Sequence, residues 1–182
     1  QGSRRPHRVN RLIISLDVPS ATEARRAARA LSSTGVGVRL GPRLLHRVGP
    51  SVIAAIRPDA AVFADARISG SDGEMLAAAR SLAAVGARWI SVEGQMGPDA
   101  VRGAVEGVAS YGASIVTVTV APEAIDPPGG RGRSVSAASR TLADSGVVGF
   151  LGVVADIGVV AQTTPSIPVM VFDVDTPEAV GD

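Results

Sequence analysis

The sequence predicts an α/β protein built on parallel strands, and three observations predict it. Apolar segments of strand length recur from end to end and alternate with helical segments. Two capping boxes, Ser20-Ala-Thr-Glu23 and Ser71-Asp-Gly-Glu74, each start a helix shortly after such a strand. The apolar content of 46% comes mostly from Ala, Val, Leu and Ile, with aromatics at only 3%. Small branched side chains of this kind suit a tightly packed core of strands and helices.

In order along the chain, residues 11–17 (RLIISLD) read as a buried strand ending in a turn, and the first capping box opens a helix to about Ser33. Residues 36–40 form strand two, followed by one helix from Pro42 to Ile56. Residues 60–66 (AAVFADA) form strand three, and the second capping box opens a helix to about Val85. Trp89 to Glu93 is strand four, with Trp89 assigned to the core, and Pro98 to Tyr111 the next helix. Ser114 to Val120 is strand five, Pro122 to Arg133 the longest loop, and Val135 to Ser145 a helix. Val147 to Val153 is strand six, Ile157 to Gln162 a short helix, and Ile167 to Val174 strand seven.

Such alternation implies βαβ units around a parallel sheet, either a closed (β/α)8 barrel or an open doubly wound sheet. No Gly-x-Gly-x-x-Gly follows strand one, so a dinucleotide fold lacks support and the barrel is favoured. The 182 residues are expected to form one barrel domain over 11–182, with residues 1–10 read as a tag remnant and tail. Barrels usually take ~250 residues, so this TIM-like barrel is expected to be shortened or atypically closed at its C-terminal end.

Composition excludes several functions. The net charge is +1, and the arginines are dispersed apart from Arg4, Arg5 and Arg8 in the tail. A nucleic-acid groove would need a basic stripe with interleaved aromatics. Cysteine is absent and His7 and His46 are the only histidines, so neither a thiolate nucleophile nor a cysteine- or histidine-rich metal site is expected. No apolar run is suited to cross a membrane, and no signal peptide opens the chain. A cytoplasmic protein with no cofactor, no metal and no nucleic-acid partner is expected. All 18 residues counted as Lys+Arg are arginine; the chain contains no lysine.

The segments LIISLDVPSATEA, VGVRLGPRLLHRVG, AVFADARISGSDGEM and RWISVEG, in that order, resemble orotidine 5'-phosphate decarboxylases. The segment GPDAVRGAVEGVASYGA is also similar to the related hexulose-phosphate synthases and ketogulonate-phosphate decarboxylases. The resemblance covers roughly residues 11–175, with the Leu-Asp after strand one and the Phe-Ala-Asp of strand three as its best matches. It implies a barrel, a homodimer, and a site at the C-terminal ends of the strands partly shared across the interface.

Carried over by position, the resemblance makes Asp17 a contact to the substrate ribose and puts Arg39 where the decarboxylases have a lysine. The signature Asp-x-Lys-x-x-Asp reads Asp65-Ala66-Arg67-Ile68-Ser69-Gly70, so the lysine has become Arg67 and the second aspartate Gly70. Glu93 stands where a histidine is common. In the resembled enzymes a lysine protonates the carbon left behind. Arginine keeps the charge but is a poor acid at neutral pH. The metal-dependent relatives carry a Glu at the Arg39 position, which argues against that branch. The phosphate-gripping loop and arginine that follow strand seven in the family have no counterpart in Phe172-Asp-Val-Asp175-Thr-Pro, and acidic residues there would repel a phosphate.

Efficient orotidine 5'-phosphate decarboxylation is therefore expected to be lost. One reading is a repurposed lyase, isomerase or cyclase acting on a polar or anionic small molecule, with Asp65, Arg67 and Glu93 catalytic and Asp17, Arg39 and Gln95 binding substrate. Alanine at Asp65 or Glu93 should then abolish turnover at an almost unchanged melting temperature. The other reading is a non-catalytic ligand-binding or dimerising barrel in which Asp17, Arg39, Asp65 and Arg67 form an ion-pair ring. A residual decarboxylase of pyrimidine biosynthesis is a third. Asp72 and Glu74 read as helix N-terminal charges, His46 as a surface or packing residue, and Asp156, Asp173 and Asp175 as rim or solvated loop residues. Gly129-Gly-Arg-Gly-Arg133 lacks both the spacing and the lysine of a phosphate loop and reads as a lid or flexible loop.

Overall fold

A computed structural model describes residues 12–119 and 130–171. Residues 1–11, residues 120–129 (the end of the expected strand five and most of the long loop), and the segment from Phe172 on, with Asp173 and Asp175, lie outside the described residues. Strands β1 to β6 are each followed by helix: β1 (Ile13–Ser15), α1 (Ala21–Leu31), β2 (Gly37–Leu40), α2 (Pro42–Val48), α3 (Ser51–Ile56), β3 (Val62–Ile68) and α4 (Asp72–Ala84). Then come β4 (Trp89–Glu93), α5 (Pro98–Val108), β5 (Ser114–Val118), α6 (Arg131–Ala143), β6 (Gly149–Gly152), α7 (Ile157–Thr163) and β7 (Val169–Val171).

The seven strands form one sheet in the order β1 to β7, every neighbouring pair parallel. A doubly wound sheet would reverse its strand order at a switch point; this one never reverses, which is the winding of a β/α barrel. Among the described residues β1 and β7 are its two edges.

Burial separates two apolar layers. The larger lies between sheet and helices and includes Val38, Leu40, Val62, Ile90, Ile115 and Phe150 from the strands. The smaller is built from strand residues alone: Phe63, Val116, Val118 and Leu151, with Ile13, Trp89 and Met170 packed against them. That cluster fills the inner face of the curled sheet. Trp89 is half-buried there, opposite Gly37, where a Cβ would stand 3.3 Å from Ile13 Cγ1 and 3.5 Å from the indole ring. Gly37 thus makes room for the indole ring inside the barrel.

Three of the boundaries that differ from the sequence expectation have a clear local reason. The helix expected over 42–56 breaks in two at Gly49, whose φ of 74° ends α2, and at Pro50, which caps α3. Strand β3 runs to Ile68 because an irregularity between Ala64 and Ile68 lets it continue. Helix α6 begins at Arg131, four residues before the expected start, so Arg131 and Arg133 belong to a helix. The closest helix packing is α5 against α4: a Cβ on Gly103 would lie 2.6 Å from the Asp72 carbonyl oxygen, and Gly107 abuts the Leu76 carbonyl.

Candidate functional site at the barrel mouth

Four adjacent strands deliver polar side chains to one place at their C-terminal ends. The parallel register sets Ser15 of β1 beside Arg39 of β2, and Arg39 beside Phe63 of β3. Two residues on from Phe63, and so on the same face of the strand, Asp65 is fully buried. Ser91 stands two residues on from Trp89, the β4 partner of Phe63.

A buried carboxylate is tolerated only when paired and hydrogen-bonded, and Asp65 is both. Arg39 donates to its Oδ2 through Nε at 3.0 Å and through Nη2. Ser91 Oγ donates to Oδ1 at 2.6 Å. Arg39 Nη1 donates to Ser15 Oγ at 3.0 Å, extending the network to β1. Arg67 Nε lies 3.9 Å from Asp65 Oδ1. The Arg39 and Arg67 side chains keep about a fifth of their surface, 21% each, toward solvent.

Arg67 is the one non-glycine residue at positive φ (45°) among the described residues, a conformation that costs an L-residue about 1–2 kcal/mol. Between the pairs Ala64–Ile90 and Ile68–Val92, the β3 residues Asp65, Ala66 and Arg67 face Ser91 alone. Bulges of this type often re-aim side chains beside functional sites. The Arg67 N–H donates to Ser91 Oγ at 2.8 Å.

The other sequence candidates stand around this centre. Glu93 ends β4 half-buried, and Gln95 is exposed on the 3-10 turn Gly94–Met96. Asp17 lies beyond β1 with its side chain 71% exposed, 3.9 Å from Arg43 Nη1. A cleft of about 450 Å³ between the β1 and β2 ends is lined by Ser15, Asp17, Arg39 and Arg43 among others. Asp17 and Arg39 therefore share a cleft, while Asp65, Arg67 and Glu93 lie across the next strands. Among the described residues no three His, Cys, Asp or Glu side chains come together as a metal site.

Sequence reasoning missed Ser15 and Ser91, though each lies two residues before a named carboxylate, Asp17 or Glu93, and strand alternation puts both on the mouth face. It also missed a second buried ion pair. Arg131 Nε and Nη2 donate to Asp156 Oδ1 and Oδ2 at 2.8 and 2.7 Å, with Asp156 buried. This bidentate pair ties the start of α6 to the 3-10 turn Val154–Asp156 behind β6.

Away from the mouth, His46 is exposed on α2. Glu74 closes the capping box of α4, accepting from the Ser71 N–H at 2.8 Å and from its hydroxyl at 2.7 Å. The first and then the second of these bonds hold its pKa below the ordinary glutamate value. Gly70, just before, has φ 142°, and a Cβ there would meet Glu74 Oε2 at 2.9 Å.

The sequence matches the model of the orotidine 5'-phosphate decarboxylase / HUMPS family over residues 10–180. The chain belongs to this family. An orotidine 5'-phosphate decarboxylase of Thermobifida fusca is 31% identical over 109 residues, 59% of this chain and 47% of the relative. One of Anaeromyxobacter dehalogenans is 32% identical over 149 residues, 79% of this chain and 65% of the relative. The chain thus spans between about half and two thirds of the length of these decarboxylases.

Two solved structures share the fold. An uncharacterized conserved protein from Geobacillus kaustophilus superposes with a TM-score of 0.81 at 22% identity, covering 92% of this chain and 84% of that one. An orotidine 5'-phosphate decarboxylase from Lactobacillus acidophilus gives 0.74 at 16% identity, covering 84% and 75%. The chain has no lysine, and Arg67 and Gly70 stand where the resemblance places the Lys and the second Asp of Asp-x-Lys-x-x-Asp.

Proposed function

We propose that this family member is a small-molecule enzyme whose barrel mouth has been turned from efficient orotidine 5'-phosphate decarboxylation to another acid/base reaction on a polar or anionic substrate. The observation that carries the reading is the state of Asp65. Its two oxygens are taken up by Arg39 and Ser91 in a fully buried site. A carboxylate so engaged serves better as a positioning residue than as a base.

Arginine can orient a carboxylate or phosphate by paired hydrogen bonds but does not release a proton near neutral pH. Arg67 and Arg39 therefore bind and orient the substrate, with Asp17 and Gln95 at the outer rim, and Glu93 supplies the acid/base function. Gly70 supports the loss of the ancestral reaction, because an aspartate there meets a left-handed backbone and the Glu74 carboxylate. The chemistry belongs to the lyase, isomerase or cyclase type, in a homodimer in the cytoplasm.

The reading is tested by incubating the chain with a complex metabolite mixture and following depletion by mass spectrometry. Depletion of an anionic metabolite, absent with Glu93→Gln and with Arg67→Ala, is expected. Depletion that persists undiminished in Glu93→Gln would refute the assignment of the acid/base residue.

A second reading, a non-catalytic binding barrel, is favoured by the Arg39–Asp65 pair filling the centre of the mouth. It predicts a metabolite retained by the protein and returned unchanged.

A further inference from the structure

We propose that Ser91 is a positioning residue that holds Arg67 in its left-handed backbone conformation and so aims it at the barrel mouth; this rests on the reading of Arg67 as a substrate-orienting group. Three observations converge on this serine. It is the only β4 residue opposite the three β3 residues Asp65, Ala66 and Arg67. Its Oγ accepts the Arg67 N–H at 2.8 Å, inside the irregular stretch of the β3–β4 ladder. The same hydroxyl donates to Asp65 Oδ1 at 2.6 Å.

A single hydroxyl can fill both roles at once, giving its proton to the carboxylate and accepting the amide proton on a lone pair. Ser91 itself is fully buried, so neither bond is exchanged cheaply for a bond to water. The outcome is a rigid chain of contacts from Ser15 through Arg39, Asp65 and Ser91 to the backbone of Arg67. An outlying φ persists only where its surroundings over-determine it, and the Ser91 hydroxyl supplies one such constraint directly on the Arg67 backbone. Alanine retains the volume of the Cβ but neither bond, whereas threonine retains the hydroxyl and suits a strand.

The test is amide hydrogen exchange by NMR on the full chain, comparing Ser91→Ala and Ser91→Thr with the parent. Ser91→Ala should speed exchange at the Arg67 amide at least ~10-fold relative to Ala64 on the same strand, and Ser91→Thr should restore most of the protection. Unchanged Arg67 exchange in Ser91→Ala, or equal loss in both variants, would overturn the proposal. Should Ser91→Ala not fold, Ser91→Cys, a close isostere with weaker hydrogen bonds, carries the same comparison with the same expected direction.

A calorimetric titration with uridine 5'-phosphate as an anionic probe separates this inference from the functional reading. Weaker binding in Ser91→Ala with rescue in Ser91→Thr supports both. Intact binding in Ser91→Ala beside accelerated Arg67 exchange upholds the backbone role but overturns the role of Arg67 in orienting an anion.

Discussion

Replacing Asp65 with alanine removes the buried anion at the centre of the mouth and leaves the Arg39 guanidinium without its carboxylate partner. Breaking a buried ion pair by deleting one partner costs about 3–5 kcal/mol. Two features reduce that figure here. Arg39 keeps 21% of its side-chain surface toward solvent, and its bond to Ser15 survives the substitution. A loss of about 2–4 kcal/mol is therefore expected, which for a domain of this size lowers Tm by roughly 4–16 °C.

The assay is thermal and urea unfolding followed by far-UV circular dichroism, extended to a double-mutant cycle with Arg39→Met. Arg39→Met alone removes both hydrogen bonds to Asp65 Oδ2, leaving the Ser91 hydroxyl at 2.6 Å and Arg67 Nε at 3.9 Å, and should destabilise at least as much. The double variant should be more stable than the sum of the single losses requires, by about 1–3 kcal/mol of coupling. An Asp65→Ala protein melting within ~2 °C of the parent, or strictly additive losses, would refute the reasoning. The catalytic reading of the sequence expects Asp65→Ala to abolish turnover at an almost unchanged melting temperature, and the ion-pair-ring reading pairs Asp65 with arginine; the full burial of Asp65 beside Arg39 makes a loss of stability the expected outcome.

Four further outcomes follow from the same geometry. Gly70→Asp, which restores the second signature carboxylate, should lower Tm by several degrees, because φ 142° is strained for any side chain and the new Cβ crowds Glu74; an unchanged melting curve would contradict it. Gly107→Ala forces a methyl against the Leu76 carbonyl at the α4–α5 contact and should cost about 1–3 kcal/mol in urea unfolding. Glu74 has a folded pKa below its unfolded value, so its stabilisation is present above the ordinary glutamate range and is lost as pH falls through the lowered pKa. Tm measured from neutral to acid pH should therefore fall less steeply in Glu74→Gln than in the parent. Glu93→Gln, isosteric at a half-buried strand end, should change Tm by less than ~2 °C, in contrast to Asp65→Ala, if its role is chemical rather than structural.

Much of the fold is legible in the chain because strand and helix periods are strong here and the two capping boxes mark helix starts without ambiguity. The structure bears this out at α1, where Ser20 Oγ accepts the Glu23 N–H at 3.2 Å, and at α4. The break at Gly49-Pro50 was readable too, since glycine in the left-handed region followed by proline ends a helix; an apolar pattern running through it concealed the break. The irregularity in β3 was not readable. Asp65, Ala66 and Arg67 keep ordinary alternation in sequence, and only pairing with β4 reveals that they share one partner.

The site divides in the same way. Strand-end position marks Asp17, Arg39, Asp65, Arg67 and Glu93, because side chains there face the mouth. What each does depends on partners remote in sequence. Arg39 and Asp65 are 26 residues apart, as are Asp65 and Ser91, and Arg131 and Asp156 are 25 apart. No local pattern says that one carboxylate is buried and saturated while another is half-buried at the rim. The segment 129–133 illustrates the converse: its glycines suggest a loop, yet Arg131 starts a helix and is anchored by a buried aspartate.

The central claim is that a lysine-free mouth with Gly70 in place of the second aspartate no longer performs the ancestral decarboxylation efficiently. Its most direct test is release of carbon dioxide from orotidine 5'-phosphate by the purified chain, measured with carboxyl-labelled substrate. The account predicts no release above the enzyme-free control, including in Arg67→Lys, because the single lysine would still lack the second carboxylate. Release that is proportional to protein concentration and abolished by Arg67→Ala would contradict it.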